Sequence, residues 1–172
     1  GYDYSNVYLF RGVDLLDSSP VDVGHASIAY GGWSAYWYGY YGNVGMDLYG
    51  SNYLESDFGG DYTWSLMDDK FSLTAGAVAY TYQNGTGADT YEVYGIAAWD
   101  VPFQPSVSAW YDLDRYDGGY AQFAVAHSFD LGLPEPMALS IDLMSGVGFD
   151  YKYNNDDSAG NTSTVAAVSG PS

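Results

Sequence analysis

The chain has 172 residues and a formal net charge of −18, because 22 carboxylates stand against four cations, Arg11, Lys70, Arg115 and Lys152. So acidic a chain repels phosphates, which argues against a nucleic-acid partner, and without cysteine it has neither a disulfide framework nor a thiolate metal site. No apolar run is long enough for a membrane-spanning helix, yet aromatic residues make up 19% of the chain, with 20 tyrosines among them.

From the start, the sequence reads as strands. Neither a basic nor an apolar leader precedes them, so a mature or trimmed N-terminus is expected. Residues 7–13 read as a first strand with Arg11 in its middle, residues 14–20 as a turn, and residues 21–30 as a second strand. Gly31-Gly32 predicts a tight connection into the aromatic strand 33–41. Between Asn43 and Asp57 the pattern weakens, and residues 46–49 fit either a short strand or an ordered loop. Alternation resumes in residues 61–66, and Asp68-Asp69 reads as a turn. Residues 70–83 then set Phe71, Leu73, Ala75, Ala77 and Ala79 opposite Ser72, Thr74, Gly76, Val78 and Tyr80. Residues 84–88 are a glycine-rich hairpin loop.

The clearest pattern lies in residues 89–131. Tyr91, Val93, Gly95, Ala97 and Trp99 share one face, and Glu92, Tyr94, Ile96, Ala98 and Asp100 the other. After a Pro102-Phe103-Gln104-Pro105 break, Val107, Ala109, Tyr111 and Leu113 oppose Ser106, Ser108, Trp110, Asp112 and Asp114. Beyond Gly118-Gly119, Ala121, Phe123, Val125 and Phe129 oppose Gln122, Ala124, Ala126, Ser128 and Asp130. Three period-2 runs separated by turn residues predict an antiparallel meander. Residues 137–144 continue it, with 146–153 as an extension, 154–160 as a polar loop and 161–172 as a weak last strand or tail.

Alternation alone suits a soluble sandwich and a membrane barrel equally; the contents of the two faces separate them. A sandwich hides its large apolar residues and shows charges of both signs. A membrane barrel shows an apolar outer face with aromatic belts and keeps its small and polar residues inside. Here one face carries Ser, Thr, Gly, Ala, Gln and Asp with almost no Lys, while Tyr62, Trp64, Tyr91, Trp99, Phe123 and Phe129 gather towards strand ends. The expected fold is all-β: an antiparallel up-and-down meander forming a membrane β-barrel of about 8–12 strands, a single domain over residues 1–172.

Several short motifs occur in an order that resembles a known family. They are Phe10-Arg11-Gly12, the aromatic run from Trp33, Tyr91-Glu92-Val93-Tyr94, Pro105-Ser106-Val107-Ser108 before Tyr111-Asp112, and Gly119-Tyr120 before His127-Ser128-Phe129. Over about residues 5–153 the chain resembles the bacterial outer-membrane β-barrels of the TorF-type porin family. The resemblance implies a Gram-negative outer-membrane location and a passive transport role. Such barrels commonly finish on a strand with a terminal aromatic, whereas this chain finishes Val168-Ser169-Gly170-Pro171-Ser172. Either the final strands are absent from this sequence or the barrel closes differently; a barrel incomplete at the C-terminus would need a second copy or partner chains covering the open edge, since bare backbone in lipid costs several kcal/mol per group.

Candidate functional residues are the charges of the interior. Arg11 is expected as a lumen cation paired with a carboxylate such as Glu92, setting selectivity or serving as an internal salt bridge in a filled, narrow barrel. Glu92, Asp100, Asp112 and Asp142 would line a cation-preferring path, unless those near strand ends are solvated rim residues. Asp112, Asp114 and Asp117 make a weak calcium candidate, without the spacing or terminal Glu of an EF-hand. Asp156 and Asp157 beside Asn154 and Asn155 are no stronger, and His25 and His127 have no metal-ligand spacing. Neither a nucleophile elbow nor a phosphate loop is present, so no catalytic residue, cofactor or enzymatic activity is expected. The expected function is that of an outer-membrane porin or structural component, in contact with the bacterial outer-membrane bilayer and with an acidic, cation-preferring interior and loops. The alternative is a secreted extracellular β-rich protein acting through assembly or adhesion, its edge strands pairing between chains.

Overall fold

A computed structural model of the protein describes residues 1–42, 52–83, 87–130, 140–151 and 162–169, with the side chains of 130, 140–143 and 162–169 left aside. Among these residues every regular element is a strand. In chain order they are β1 (Tyr2–Ser5), β2 (Leu9–Phe10), β3 (Val13–Asp14), β4 (Val21–Tyr30), β5 (Trp33–Gly42) and β6 (Tyr53–Leu66). There follow β7 (Phe71–Gln83), β8 (Thr90–Trp99), β9 (Ser106–Asp112), β10 (Gly119–Asp130), β11 (Ser140–Tyr151) and β12 (Thr162–Ser169). Ten of them form one sheet in the order β1-β4-β5-β6-β7-β8-β9-β10-β11-β12, and β2 pairs only with β3. Each pairing along the large sheet is antiparallel and joins neighbours in that order. Among the described residues no pairing joins β1 to β12, so the expected meander is present and its sheet is not closed into a barrel.

Cross-strand register carries the sequence alternation from strand to strand. Because Glu92 pairs with Asp112 and Val93 with Tyr111, residues of one kind line up across the sheet. Adjacent positions differ sharply in exposure: Tyr91 50% against Glu92 1%, Val107 45% against Ser108 9%, Tyr111 41% against Asp112 0%. The aromatic and valine face is therefore turned outward, and the carboxylate and hydroxyl face is covered. Ile28, Trp33, Trp37, Phe58, Trp64, Leu73, Val93, Trp99, Phe123 and Phe149 are all exposed on the outer face.

What covers the inner face is the chain's own N-terminal segment. Residues 7–13, expected as one strand, instead double back. Arg11 (φ 50) and Gly12 (φ 84) both have positive φ, and the Leu9–Asp14 and Phe10–Val13 pairs leave those two residues as the loop. Two consecutive positive-φ residues are the tight hairpin geometry that matches strand twist. Arg11 thus sits at a hairpin tip rather than mid-strand. Behind it, Tyr8, Leu16, Val21 and Tyr53 form a buried apolar cluster, with Leu15, Val23, Tyr40 and Tyr82 packed against it. Asp14 ties down the turn that carries Leu16 by accepting from the backbone N–H groups of Leu16 (3.1 Å) and Ser18 (2.7 Å).

One further boundary differs from expectation. β6 begins at Tyr53, eight residues before the expected start at 61. Its first half, Tyr53-Leu54-Glu55-Ser56-Asp57-Phe58-Gly59-Gly60, resembles a polar loop only because its carboxylates and a glycine face the interior. β11 is one strand over Ser140–Tyr151, in which residues 146–151 extend the run before them as expected. The expected features at 46–49, 84–86, 132–135 and 154–160 lie outside the described residues.

The β4–β5 connection generates a testable difference between neighbouring glycines. Gly31 (φ +57) has open space where a Cβ would stand, whereas at Gly32 (φ +87) a Cβ would lie 2.9 Å from the Thr63 carbonyl oxygen. Gly31→Ala should cost about 1–2 kcal/mol for its left-handed backbone, and Gly32→Ala measurably more. Equilibrium urea unfolding of the two variants checks the order.

Candidate functional site

The inner face gathers carboxylates from β6, β8 and β9, and one of them, Glu92, meets a guanidinium. At the hairpin tip Arg11 is carried over β8, where its Nη1 and Nη2 donate to Glu92 Oε1 (2.8 Å) and Oε2 (2.6 Å). Both side chains are almost wholly buried. Tyr80 of β7 adds a third donor, its hydroxyl lying 2.8 Å from Glu92 Oε2. The guanidinium also stands over the rings of Phe10 (4.6 Å), Trp110 (4.9 Å) and Tyr120 (5.2 Å). A planar, weakly hydrated cation suits this enclosure of carboxylate and ring faces better than an ammonium would. One residue thereby ties the hairpin to β8, β9 and β10.

Glu55, Asp61 and Asp112 are held by hydroxyls and backbone amides. Glu55 accepts from Tyr8 (3.0 Å) and Tyr53 (2.5 Å). Burial, and then the neighbouring Glu55 carboxyl group, raises the Tyr8 hydroxyl above tyrosine's usual range. Asp61 accepts from Ser34 and from Tyr94, each at 2.7 Å, and Tyr94 in turn lies 3.2 Å from the Tyr36 hydroxyl. Those two rings can approach across β6 and β7 because the intervening inner positions are Gly59 and Gly76. A Cβ there would lie 2.1 Å from the Tyr36 ring and 2.5 Å from the Tyr94 ring.

Asp112, on the inner face of β9, is fully buried and accepts from Thr90 Oγ1 (2.6 Å) and from the N–H groups of Asp114 (3.0 Å) and Tyr116 (2.9 Å). It organises the β9–β10 turn. Asp114 and Asp117, the other members of the weak calcium candidate, are exposed, and Asp117 accepts from Tyr111 (2.6 Å). Among the described residues no group of three His, Cys, Asp or Glu could hold a metal ion. Asp100 is exposed in the β8–β9 connection, at the rim, its N–H donating to the Lys70 carbonyl (2.9 Å). Asp142 pairs with Ser128 and Ser169 in register, and its side chain lies outside the description, as do Asp156 and Asp157. His25 stacks on Tyr38 and approaches Asp3 at 3.3 Å; His127 lies apart among Phe103 and Phe129.

The structure thus brings Arg11, Glu92 and Asp112 to one inner face and leaves Asp100 at its margin. Residues the sequence reading did not single out are Tyr8, Glu55, Asp57 and the inner tyrosines. The period-2 run Tyr36, Tyr38, Tyr40 was visible in the sequence as a second aromatic face, opposite Trp33, Trp37 and Tyr41. Between these side chains lies a cavity of about 520 Å³, lined from β4 through β9 and by Phe10 of the hairpin. A smaller one of about 130 Å³ lies beside Arg11 and Gly12 against Gly146 and Gly148 of β11. Compared with known protein families, curated proteins and solved structures, the chain matches none.

Removing one member of a buried ion pair leaves an uncompensated charge. Arg11→Met should therefore destabilise the protein by about 3–5 kcal/mol, and Arg11→Met combined with Glu92→Met should recover most of that loss. A double-mutant cycle by equilibrium unfolding measures both.

Proposed function

We propose that the protein is a membrane β-barrel of the bacterial outer-membrane type, with an acidic interior plugged at one end by its own N-terminal hairpin. The observation that carries this reading is the inversion of the sheet: a continuous exposed belt of valines and aromatic rings outside, and buried carboxylates and hydroxyls inside. Exposed apolar area on this scale marks a surface that meets something other than water, and an apolar band with aromatic girdles is what a lipid-facing barrel needs. β4 to β8 and β10 to β11 are 10–14 residues long, enough for a tilted strand to cross a hydrocarbon core of ~30 Å. The resemblance to TorF-type porins points the same way.

Lipid cannot tolerate the unpaired outer edges of β1 and β12. In this reading they are covered by further strands, from a second copy or from a partner chain. With its N-terminal hairpin lying against the inner face, the protein serves as a structural outer-membrane component or as a small porin. Any conducting path passes Glu55, Asp57, Asp61 and Glu92 and favours cations. The same unpaired edges favour a second reading, an extracellular protein assembling by strand addition. Detergent dependence separates the two: the barrel needs detergent to stay monodisperse and runs heat-modifiably on a gel, whereas the secreted assembly stays monodisperse in plain buffer.

Two outcomes follow from the membrane reading. Val107→Arg and Val125→Arg, both on the outer face, should each cost about 2–4 kcal/mol of stability in lipid if near the midplane. Folding yield into liposomes measures this, and unchanged folding of both variants would count against the orientation. In planar bilayers any conductance should be cation-selective; reversal potentials indicating anion selectivity would contradict the acidic path.

A further inference from the structure

One carboxylate on the inner face is treated differently from the rest. Glu92 has Arg11 and Tyr80, Glu55 has Tyr8 and Tyr53, and Asp61 has Ser34 and Tyr94. Asp57 is 7% exposed, and its Oδ1 has no hydrogen-bond partner, alone among buried side-chain polar atoms of the described residues. A buried polar atom without a partner costs free energy, and the cost is greatest for a charged group. In register, Asp57 stands between Tyr38 of β5 and Tyr80 of β7. It lines the cavity of about 520 Å³, whose other walls include the rings of Tyr36, Tyr40, Tyr94 and Trp110.

We infer that this cavity binds an organic cation, an alkylated or quaternary ammonium, with its charge against Asp57 and its carbon shell against the tyrosine rings. Three features select this chemistry. The volume lies within the ~300–1,000 Å³ of small-molecule sites. Tyrosine and tryptophan rings attract cations, and five such residues besides Tyr38 line the cavity. A bare metal ion needs several oxygen or nitrogen ligands, and among the described residues no group of three metal-ligating acidic, histidine or cysteine side chains is present. An ammonium with methyl substituents needs a counter-charge and aromatic walls; the neighbouring carboxyl groups of Asp57 and Glu55 supply the first, and the tyrosines lining the cavity the second. The inference shares with the proposed function only the acidic interior; it holds whether or not the sheet lies in a membrane.

Choline is a suitable probe because 3,3-dimethylbutan-1-ol is its neutral isostere, with carbon in place of the charged nitrogen. Calorimetric titration of the folded full-length chain at constant ionic strength should give saturable binding of choline and at least tenfold weaker binding of the isostere. Asp57→Asn should weaken choline binding at least tenfold. Tyr38→Leu should weaken it less, with circular dichroism confirming an unchanged strand content in both. Equal affinity for the two probes would overturn the inference, as would displacement of choline by sodium at matched ionic strength or an unchanged affinity in a folded Asp57→Asn variant. The isostere comparison uses the unaltered protein, so it decides the matter even if a variant does not fold.

Discussion

Everything on the inner face depends on how buried negative charge is held. A carboxylate withdrawn from water without partners is costly enough to unfold a small domain, and this chain buries Glu55, Asp57, Glu92 and Asp112 together. In the bidentate Arg11–Glu92 pair, buried negative charge meets opposite charge directly. Because Arg11 comes from the hairpin tip, neutralising Glu92 and plugging the sheet are a single event. The positive φ of Arg11 and Gly12 is what turns the guanidinium towards β8. Hydroxyls do the remaining work, which gives a physical reason for so many tyrosines. A tyrosine can lie flat along a strand, fill space with its ring and still deliver a donor to an acid two or three strands away.

Glycine supplies the matching space. The Tyr36 and Tyr94 rings meet over Gly59 and Gly76, and Tyr120 lies over Gly148, where a Cβ would stand 2.1 Å from its hydroxyl oxygen. Tyrosine and glycine thus act as a pair on the inner face, one projecting and the other receding. The outer face follows a different rule, with branched aliphatic residues and alanine between rings, and without charged side chains along its central rows. Two faces of one sheet obey two packing rules, and the alternation of the sequence is the interleaving of those rules.

Much of the sheet could be read from the sequence because period-2 alternation survives wherever one face is uniformly apolar. β4, β5, β7 and the meander β8 to β10 follow such runs closely. The first half of β6 is hidden in the sequence because Glu55, Asp57 and Gly59-Gly60 look like loop residues unless the interior is known to be acidic. The hairpin in residues 7–14 is hidden for a related reason. Val7-Tyr8-Leu9-Phe10 has strand composition, and the turn rests on the backbone of Arg11, a residue type that seldom adopts positive φ. The pairing of Arg11 with Glu92 could be anticipated, since four cations leave few choices; the three rings that enclose the guanidinium could not. Asp57 gave no signal of its own. Its distinction lies in what fails to reach it, and only three-dimensional neighbours reveal that.

The central claim is that the valine and aromatic face meets lipid. Since the chain has no cysteine, single cysteines can carry spin labels without background. Labels at Val93, Val107 and Phe123 on the outer face, and at Ser106 and Gln122 on the inner, can be compared in liposomes by collision with oxygen and with a water-soluble nickel chelate. Oxygen-dominated relaxation at the first three positions, and its absence at the other two, is the predicted result. Nickel-dominated relaxation at Val93, Val107 and Phe123 would place that face in water and contradict the account.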